Sequence, residues 1–121
     1  MIEKKKENEQ KYVVLSQKIQ ANERLLDDLH REQRKRIEQL EETTWKVKQQ
    51  TEQISLLYQE LIHFGDSSAY YCCADIQETS KKLQTVLRSQ GETVESAYQI
   101  TDKKLQEKNE ALARERGKLK W

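Results

Sequence analysis

The stretch ISLLYQELIHFGDSSAYYCCADI, residues 54–76, decides the fold of this chain. Apolar side chains lie on both sides of Phe64-Gly65-Asp66-Ser67-Ser68, which is the best break in the sequence. Gly65 suits the left-handed residue that follows a helix C-terminus. Asp66, Ser67 or Ser68 can accept backbone N–H hydrogen bonds as the N-cap of a following helix. The stretch therefore predicts two helices joined by a turn at residues 64–68.

A seven-residue repeat runs through the part of the chain that precedes this turn. Its a positions are apolar with one exception, and they are Tyr12, Ile19, Leu26, Gln33, Leu40, Val47, Ile54 and Leu61. Half of its d positions are apolar, and they are Leu15, Asn22, Leu29, Arg36, Thr43, Gln50, Leu57 and Phe64. Eight repeats in one register predict a coiled-coil helix over about residues 3–63, with the a positions facing a second helix. The polar d positions between Asn22 and Gln50 predict a weak seam and a hairpin that is marginal on its own.

A second helix is predicted over about residues 69–119. Its seam begins with Ile76, Ser80, Leu83, Leu87, Gln90 and Val94. The next step, from Val94 to Tyr98, makes two four-residue steps in succession, a stutter that locally unwinds a supercoil. Gly91 lies just before it, and a glycine inside a helix costs about 1 kcal/mol relative to alanine. A kink near residues 91–98 is therefore expected. A full turn at Gly91, which would give a three-helix bundle, is the alternative.

The amino-acid composition also favours two long helices. The 121 residues include no proline and three glycines, charged residues make up 36%, and apolar residues make up 35%. Nothing in such a sequence interrupts a helix, and the apolar share suits a thin seam better than a thick core. We therefore predict an all-α chain of one domain, residues 1–121. It would fold as a long antiparallel two-helix hairpin that resembles a coiled coil.

Several classes of function are disfavoured by what the sequence contains. His30 and His63 are too far apart on one helix to share a site, and no glycine-rich phosphate loop occurs. The adjacent Cys72 and Cys73 lack the spacing of metal ligands, so we expect reduced thiols and neither a metal nor a cofactor. We expect no enzyme activity.

The charge distribution and the N-terminus suggest where the protein acts. The net charge is +1, and acids flank the basic residues at 31–36, so we expect no nucleic-acid partner. No apolar stretch is long enough for a membrane helix, and the N-terminus is not a signal peptide. We expect a cytoplasmic protein, or one exported with its partner without a cleaved signal peptide.

Aromatic residues occur on the outer face of the first predicted helix and near the turn. Trp45 falls at an f position, and four others lie near the turn in the acidic segment 51–80: Tyr58, Phe64, Tyr70 and Tyr71. Exposed aromatic clusters are typical of protein-binding surfaces, so we predict that these five side chains bind a partner. The alternative is that those near the turn fold over it and close it.

The chain resembles the small helical-hairpin proteins encoded beside LXG toxins of Gram-positive bacteria, which are relatives in shape of the WXG-type proteins of type VII secretion. The resemblance covers most of the chain. It rests on chain length, on long Gln/Glu/Lys-rich helices, on LIHFGDSSAYYCCADIQE at residues 61–78, and on KLQEKNEALARERGKL at residues 104–119. Tyr71 with Asp75 and Tyr98 with Asp102 match the Tyr-x-x-x-acid pattern of type VII substrates, although about one match arises by chance. No Trp-x-Gly occurs, which argues against a WXG-type homodimer.

The resemblance implies a targeting factor or chaperone. Such a protein binds the helical N-terminal domain of an LXG toxin, often alongside a second small helical partner, and makes the complex competent for export. Two alternatives remain at this point. One is a self-associating spacer or tether, for which the isolated chain would be a homodimer or tetramer. The other is a regulator that sequesters a helical target.

Overall fold

The computed structural model describes residues 2–119 and contains two α-helices, α1 at Ile2–His63 and α2 at Ser67–Gly117. Helix accounts for 96% of the structure, no strand occurs within residues 2–119, and the two long helices pack against each other. The predicted all-α helical hairpin is confirmed. Both helices begin and end within two residues of their predicted bounds. The helix α2 continues through Gly91, so the alternative of a full turn there is wrong.

The end of α1 is closed by backbone hydrogen bonds. The Asp66 N–H donates to the Leu61 carbonyl at 3.0 Å. The Gly65 N–H donates to the Ile62 carbonyl at 2.9 Å. This pair of bonds is the Schellman motif, which requires a left-handed residue at the position that Gly65 occupies. Gly65 has φ 92°, where a side chain would be strained.

Asp66 then begins α2 as its N-cap. One oxygen of its carboxylate, Oδ1, accepts hydrogen bonds from the Ser68 N–H at 3.0 Å and the Ala69 N–H at 3.3 Å. The Ser68 hydroxyl donates to the same oxygen at 2.6 Å. These bonds, led by that from the Ser68 hydroxyl, lower the pKa of Asp66 below its ordinary value. Of the three candidates in the sequence, Asp66 is therefore the residue that caps α2.

Contacts divide the chain into two compact units. Of the described residues, the first unit comprises 2–33 and 95–119, and the second comprises 34–94. In the first unit, α1 follows the predicted seven-residue register. Its buried and half-buried seam residues are Leu15, Ile19, Asn22, Leu26, Leu29 and Gln33.

The second unit departs from that register. Its seam in α1 consists of Ile37, Leu40, Thr44, Val47, Thr51, Ser55, Tyr58 and Ile62. Ile19, Leu26, Leu40 and Val47 are buried or half-buried as predicted, but Ile54 and Leu61 are 39% and 45% exposed, so their predicted place in the seam is wrong. The predicted polar d positions Arg36, Thr43 and Gln50 are likewise exposed. A straight α-helix drifts by about 20° per heptad against a 3.5-residue period, and that drift moves the seam by one residue.

The seam of α1 changes register twice, first at Leu29-Gln33-Ile37 and again at a polar layer in the second unit. The seam takes two four-residue steps in succession at Val47-Thr51-Ser55 in α1 and at Ile76-Ser80-Gln84 in α2. The hydroxyl oxygens of Thr51 and Ser80 lie 2.8 Å apart, and the Gln84 amide donates to Ser80 Oγ at 3.1 Å. Both helices therefore shift register at the same level, where small side chains allow a close approach.

The hydrophobic core is thin. The buried apolar residues are Leu15, Ile19, Ala69 and Cys73, and they are joined by the buried polar residues Asn22, Ser55 and Ser80. No large side chain among residues 2–119 is fully buried. Within that same range, neither helix combines the length and apolar character needed to cross a bilayer.

Candidate protein-binding surfaces

Three of the predicted aromatic residues near the turn are exposed. Phe64 is 85% exposed, Tyr70 is 62% exposed and Tyr71 is 70% exposed. The Phe64 ring meets the His63 ring edge-on at 6.0 Å, and the Tyr70 and Tyr71 rings meet edge-on at 5.7 Å. These contacts join neighbours in sequence and leave the rings in solvent. The alternative that these three side chains fold over the turn and close it is therefore wrong.

Tyr58 and Trp45 lie apart from those three residues. Tyr58 is half-buried in the seam of the second unit. Trp45 is 60% exposed and precedes Phe64, the residue that follows α1, by 19 positions, about 28 Å along the helix axis. The five predicted aromatic residues therefore do not form one continuous patch.

The two Tyr-x-x-x-acid matches differ in their surroundings. Tyr71 and Asp75 are both exposed near the start of α2. Tyr98 and Asp102 are half-buried in the seam of the first unit, and Asp102 Oδ1 lies 3.4 Å from His30 Nε2. A receptor that binds exposed side chains would therefore contact Tyr71 and Asp75 more readily than Tyr98 and Asp102.

An apolar groove runs along one side of the second unit. Its α1 wall follows steps of three and four residues, which place the residues on one edge of the helix. That wall is formed by Leu40, Thr43, Val47, Gln50 and Ile54. The α2 wall is formed by Ile76, Thr79, Leu83, Gln90, Thr93 and Val94. Arg36 and Asp75 also line the groove, and they are its only charged residues.

Exposed apolar residues extend this groove toward the turn and along α2. Leu57 follows Ile54 by three residues and is 62% exposed, and Leu61 follows by seven and is 45% exposed. Val86 follows Leu83 by three residues, and these two are 51% and 43% exposed. By helical spacing all of these side chains border the same groove.

The opposite side of the second unit carries a different groove. Lys48 and Glu52 line it together with Leu56, Gln59, Gln77 and Gln84. We refer to it as the charged groove. Trp45 precedes Lys48 by three residues, and Tyr70 precedes Gln77 by seven, so both aromatic residues border this side. Phe64 instead continues the row of Ile54, Leu57 and Leu61 beside the apolar groove.

The sequence reasoning missed the apolar groove because it assigned Ile54, Leu57, Leu61 and Leu83 to the seam between the helices. A usable signal was present in the sequence. Apolar residues occur as neighbours at Leu57-Tyr58, Leu61-Ile62 and Val86-Leu87. Adjacent residues point about 100° apart on a helix, so such pairs indicate an apolar face wider than a single seam.

Polar contacts between the helices mark the first unit. The Arg116 guanidinium donates to Ser16 Oγ at 3.2 Å and lies 5.3 Å from the centre of the Tyr12 ring. The Asn109 amide donates to the Ile19 carbonyl at 3.4 Å. Contacts of this kind fix the register of two helices more than they add stability, because each replaces hydrogen bonds to water.

The described residues hold no group of three or more His, Cys, Asp or Glu side chains arranged to bind a metal ion. Cys72 is exposed, Cys73 is buried, and both are free thiols. The concave surfaces described above are open grooves between helices.

Comparison with known proteins gave no match: neither a protein-family model, nor a curated protein, nor a solved structure matches this chain.

Proposed function

We propose that this chain is a non-enzymatic binding protein that captures a helical domain of another protein through its second unit. Following the resemblance noted in the sequence, we propose that the partner is the helical N-terminal domain of an LXG toxin. The chain would act as a targeting factor or chaperone for type VII secretion, alongside a second small helical partner.

One observation carries this proposal. The turn is closed by backbone hydrogen bonds around Gly65 and by the carboxylate of Asp66, so it does not need its aromatic residues. Phe64, Tyr70 and Tyr71 nevertheless stay exposed there. Exposed aromatic side chains are enriched at binding surfaces, where burying one is often worth 2 kcal/mol or more.

The charges near the turn indicate what kind of partner surface the second unit would bind. Residues 51–80 contain no Lys or Arg and five acids. An acidic end attracts a basic surface, and that attraction raises the rate of association and weakens with salt. A partner whose contact surface is basic around an apolar centre fits the acidic turn and its exposed aromatic residues.

Co-purification tests the proposal. The full chain is co-expressed with the N-terminal domain of a toxin encoded beside it, and the complex is isolated through a tag on the toxin domain. Phe64→Ala and Trp45→Ala should each reduce the amount of chain retained, while the helical circular dichroism signal stays nearly unchanged. Ile100→Ala is a matched control, because Ile100 is 57% exposed and lies in the first unit.

The two variants also separate the two sides of the second unit. Loss of binding for Phe64→Ala alone assigns the partner to the side of the apolar groove, and loss for Trp45→Ala alone assigns it to the charged side. Normal retention of both variants, or equal loss for Ile100→Ala, would contradict the proposed surface. A wild-type chain that is not retained by the toxin domain would refute the proposed partner.

A further inference from the structure

In the second unit, α1 carries two apolar rows where a two-helix hairpin requires one. The seam to α2 uses Ser55, Tyr58 and Ile62 beyond the polar layer. The other row keeps the seven-residue repeat of the sequence. It shares the half-buried Leu40 and Val47 with the seam, and its apolar members from Ile54 onward are exposed. It consists of Leu40, Thr43, Val47, Gln50, Ile54, Leu57, Leu61 and Phe64. A strict heptad row is the pattern of a coiled-coil interface, so this second row indicates a further helix beside α1.

The helix α2 carries a matching row on the same side. Ile76, Thr79, Leu83, Val86 and Gln90 are separated by steps of three, four, three and four residues. Helices at the centre of a four-helix bundle have this wide apolar face, because each contacts two neighbours. The apolar groove is therefore bordered by two helix faces, each of which the other helix covers only in part.

We propose that the apolar groove is covered by a second copy of this chain, so that the second units of two copies form a four-helix bundle. The inference concerns one face of the region proposed to bind a partner, but it does not require that partner to be present. In this arrangement each copy supplies the two helices that the other lacks.

The charges on the two sides of the second unit favour this occupant and this face. In a two-fold dimer the same surface meets itself, so like charges near the axis oppose each other. Six aliphatic residues line the apolar groove, with Arg36 and Asp75, of opposite signs, at its two ends, whereas Leu56 is the one aliphatic residue in the lining of the charged groove. The charged groove has Lys48 and Glu52 in its lining, and burying them against a second copy would cost their hydration.

The size of the face also meets the requirement for a dimer. From Arg36 to the end of α1 at His63 is 27 residues, which is roughly 40 Å of helix. Two packed helices present a face roughly 20 Å wide, so the footprint is about 800 Å² per copy. A standard specific interface buries roughly 800 Å² per partner. The exposed apolar side chains of Leu57, Leu83 and Val86 would lie inside this footprint.

Sedimentation of the purified full chain tests the inference. The measurement covers concentrations from about 1 to 100 µM, with a reducing agent present because Cys72 is exposed and could otherwise cross-link two copies. The wild-type chain should sediment as a dimer at the higher concentrations. Because the apolar groove has few charged residues, the dissociation constant of the dimer should change little between low and high salt.

A pair of neighbouring residues supplies a matched comparison. Leu57 and Leu56 are 62% and 55% exposed, but Leu57 borders the apolar groove and Leu56 lines the charged one. Leu57→Lys should raise the dissociation constant of the dimer at least about tenfold, because an unpaired ammonium would be buried in the interface. Leu56→Lys should leave the dissociation constant unchanged. Both side chains are already exposed, so neither variant should unfold the helix.

Each outcome bears on the inference. A wild-type chain that remains monomeric throughout the concentration range overturns it, and leaves the proposed partner binding to be judged by co-purification. A dimer that is weakened equally by both variants, or more by Leu56→Lys, also overturns it, because the interface then lies elsewhere. A dimer weakened only by Leu57→Lys supports it.

Discussion

Gly91 offers the sharpest test of how closely the helices of the second unit approach each other. Its place in the seam opposite Leu40 suggests that a side chain would be excluded. The geometry indicates otherwise, because a Cβ built at Gly91 lies 3.9 Å from Leu40 Cδ1, which is an ordinary van der Waals distance. Glycine inside a helix costs about 0.8–1.0 kcal/mol relative to alanine. Gly91→Ala should therefore stabilise the protein by about 1 kcal/mol.

Gly65 provides the opposite control. A Cβ at Gly65 would meet nothing within 4 Å, so no atom obstructs a side chain there either. Its φ of 92° is nevertheless a conformation that other residues adopt only at a cost of roughly 1–2 kcal/mol. Gly65→Ala should therefore destabilise the protein by about that amount. The two substitutions add the same methyl group but should change the free energy of unfolding in opposite directions.

Urea unfolding followed by far-ultraviolet circular dichroism measures both effects. The three proteins are compared at one chain concentration, so that any self-association affects them alike. The midpoint should rise for Gly91→Ala and fall for Gly65→Ala while the slope stays constant. A fall for Gly91→Ala would refute the reasoning, since it would mean that α2 is bent at Gly91 or lies closer to Leu40 than described.

Three further predictions follow from other parts of the molecule. Because the Ser68 hydroxyl holds the pKa of Asp66 below its ordinary value, the stability contributed by Asp66 is complete above that value and is lost as pH falls through the lowered pKa. Asp66→Asn should keep the cap and flatten the acid side of a melting-temperature profile, whereas Asp66→Ala should lower the melting temperature near neutral pH. Ser55 is buried and its Oγ has no hydrogen-bond partner, so Ser55→Ala should raise the free energy of unfolding by about 1 kcal/mol in the same urea assay. A bound toxin domain at about 100 times its dissociation constant should stabilise the chain by about 2.7 kcal/mol, and identical melting temperatures with and without it would contradict binding to the folded state.

The turn could be predicted from the sequence because its signals are local. Gly65 and Asp66 each act through backbone atoms only a few residues away, and no distant contact competes with them. The helices were equally accessible, since the absence of proline and the apolar periodicity depend on short stretches of chain. These features account for the agreement between predicted and observed helix bounds.

The facing residues in the second unit could not be predicted in the same way. Apolar residues there satisfy a seven-residue repeat at Ile54 and Leu61, and a shifted row at Tyr58 and Ile62 satisfies the period of a straight helix almost as well. The choice also depends on the position of α2, whose Ser80 is hydrogen-bonded to Thr51 at the level where both seams shift by one residue. The periodicity of α1 alone does not indicate where α2 contacts it. The separation of Trp45 and Phe64 onto different sides could be predicted, because 19 residues place two side chains about 100° apart around a helix.

The thin core and the exposed groove have one common cause. The two helices of the second unit carry apolar faces wide enough for two neighbours each, but within one chain each helix has only one. Six large apolar side chains beside the groove therefore remain between 39% and 85% exposed: Ile54, Leu57, Leu61, Phe64, Leu83 and Val86. Complete burial of such a side chain is worth about 1.5–3 kcal/mol, so covering the exposed part of each returns roughly 1 kcal/mol. Together they could supply about 6 kcal/mol, which is comparable with the whole free energy of unfolding of a small domain. A second chain that covers the groove can thus change the stability of this protein more than any single substitution in its seam. Folding of the second unit is therefore coupled to binding at the groove.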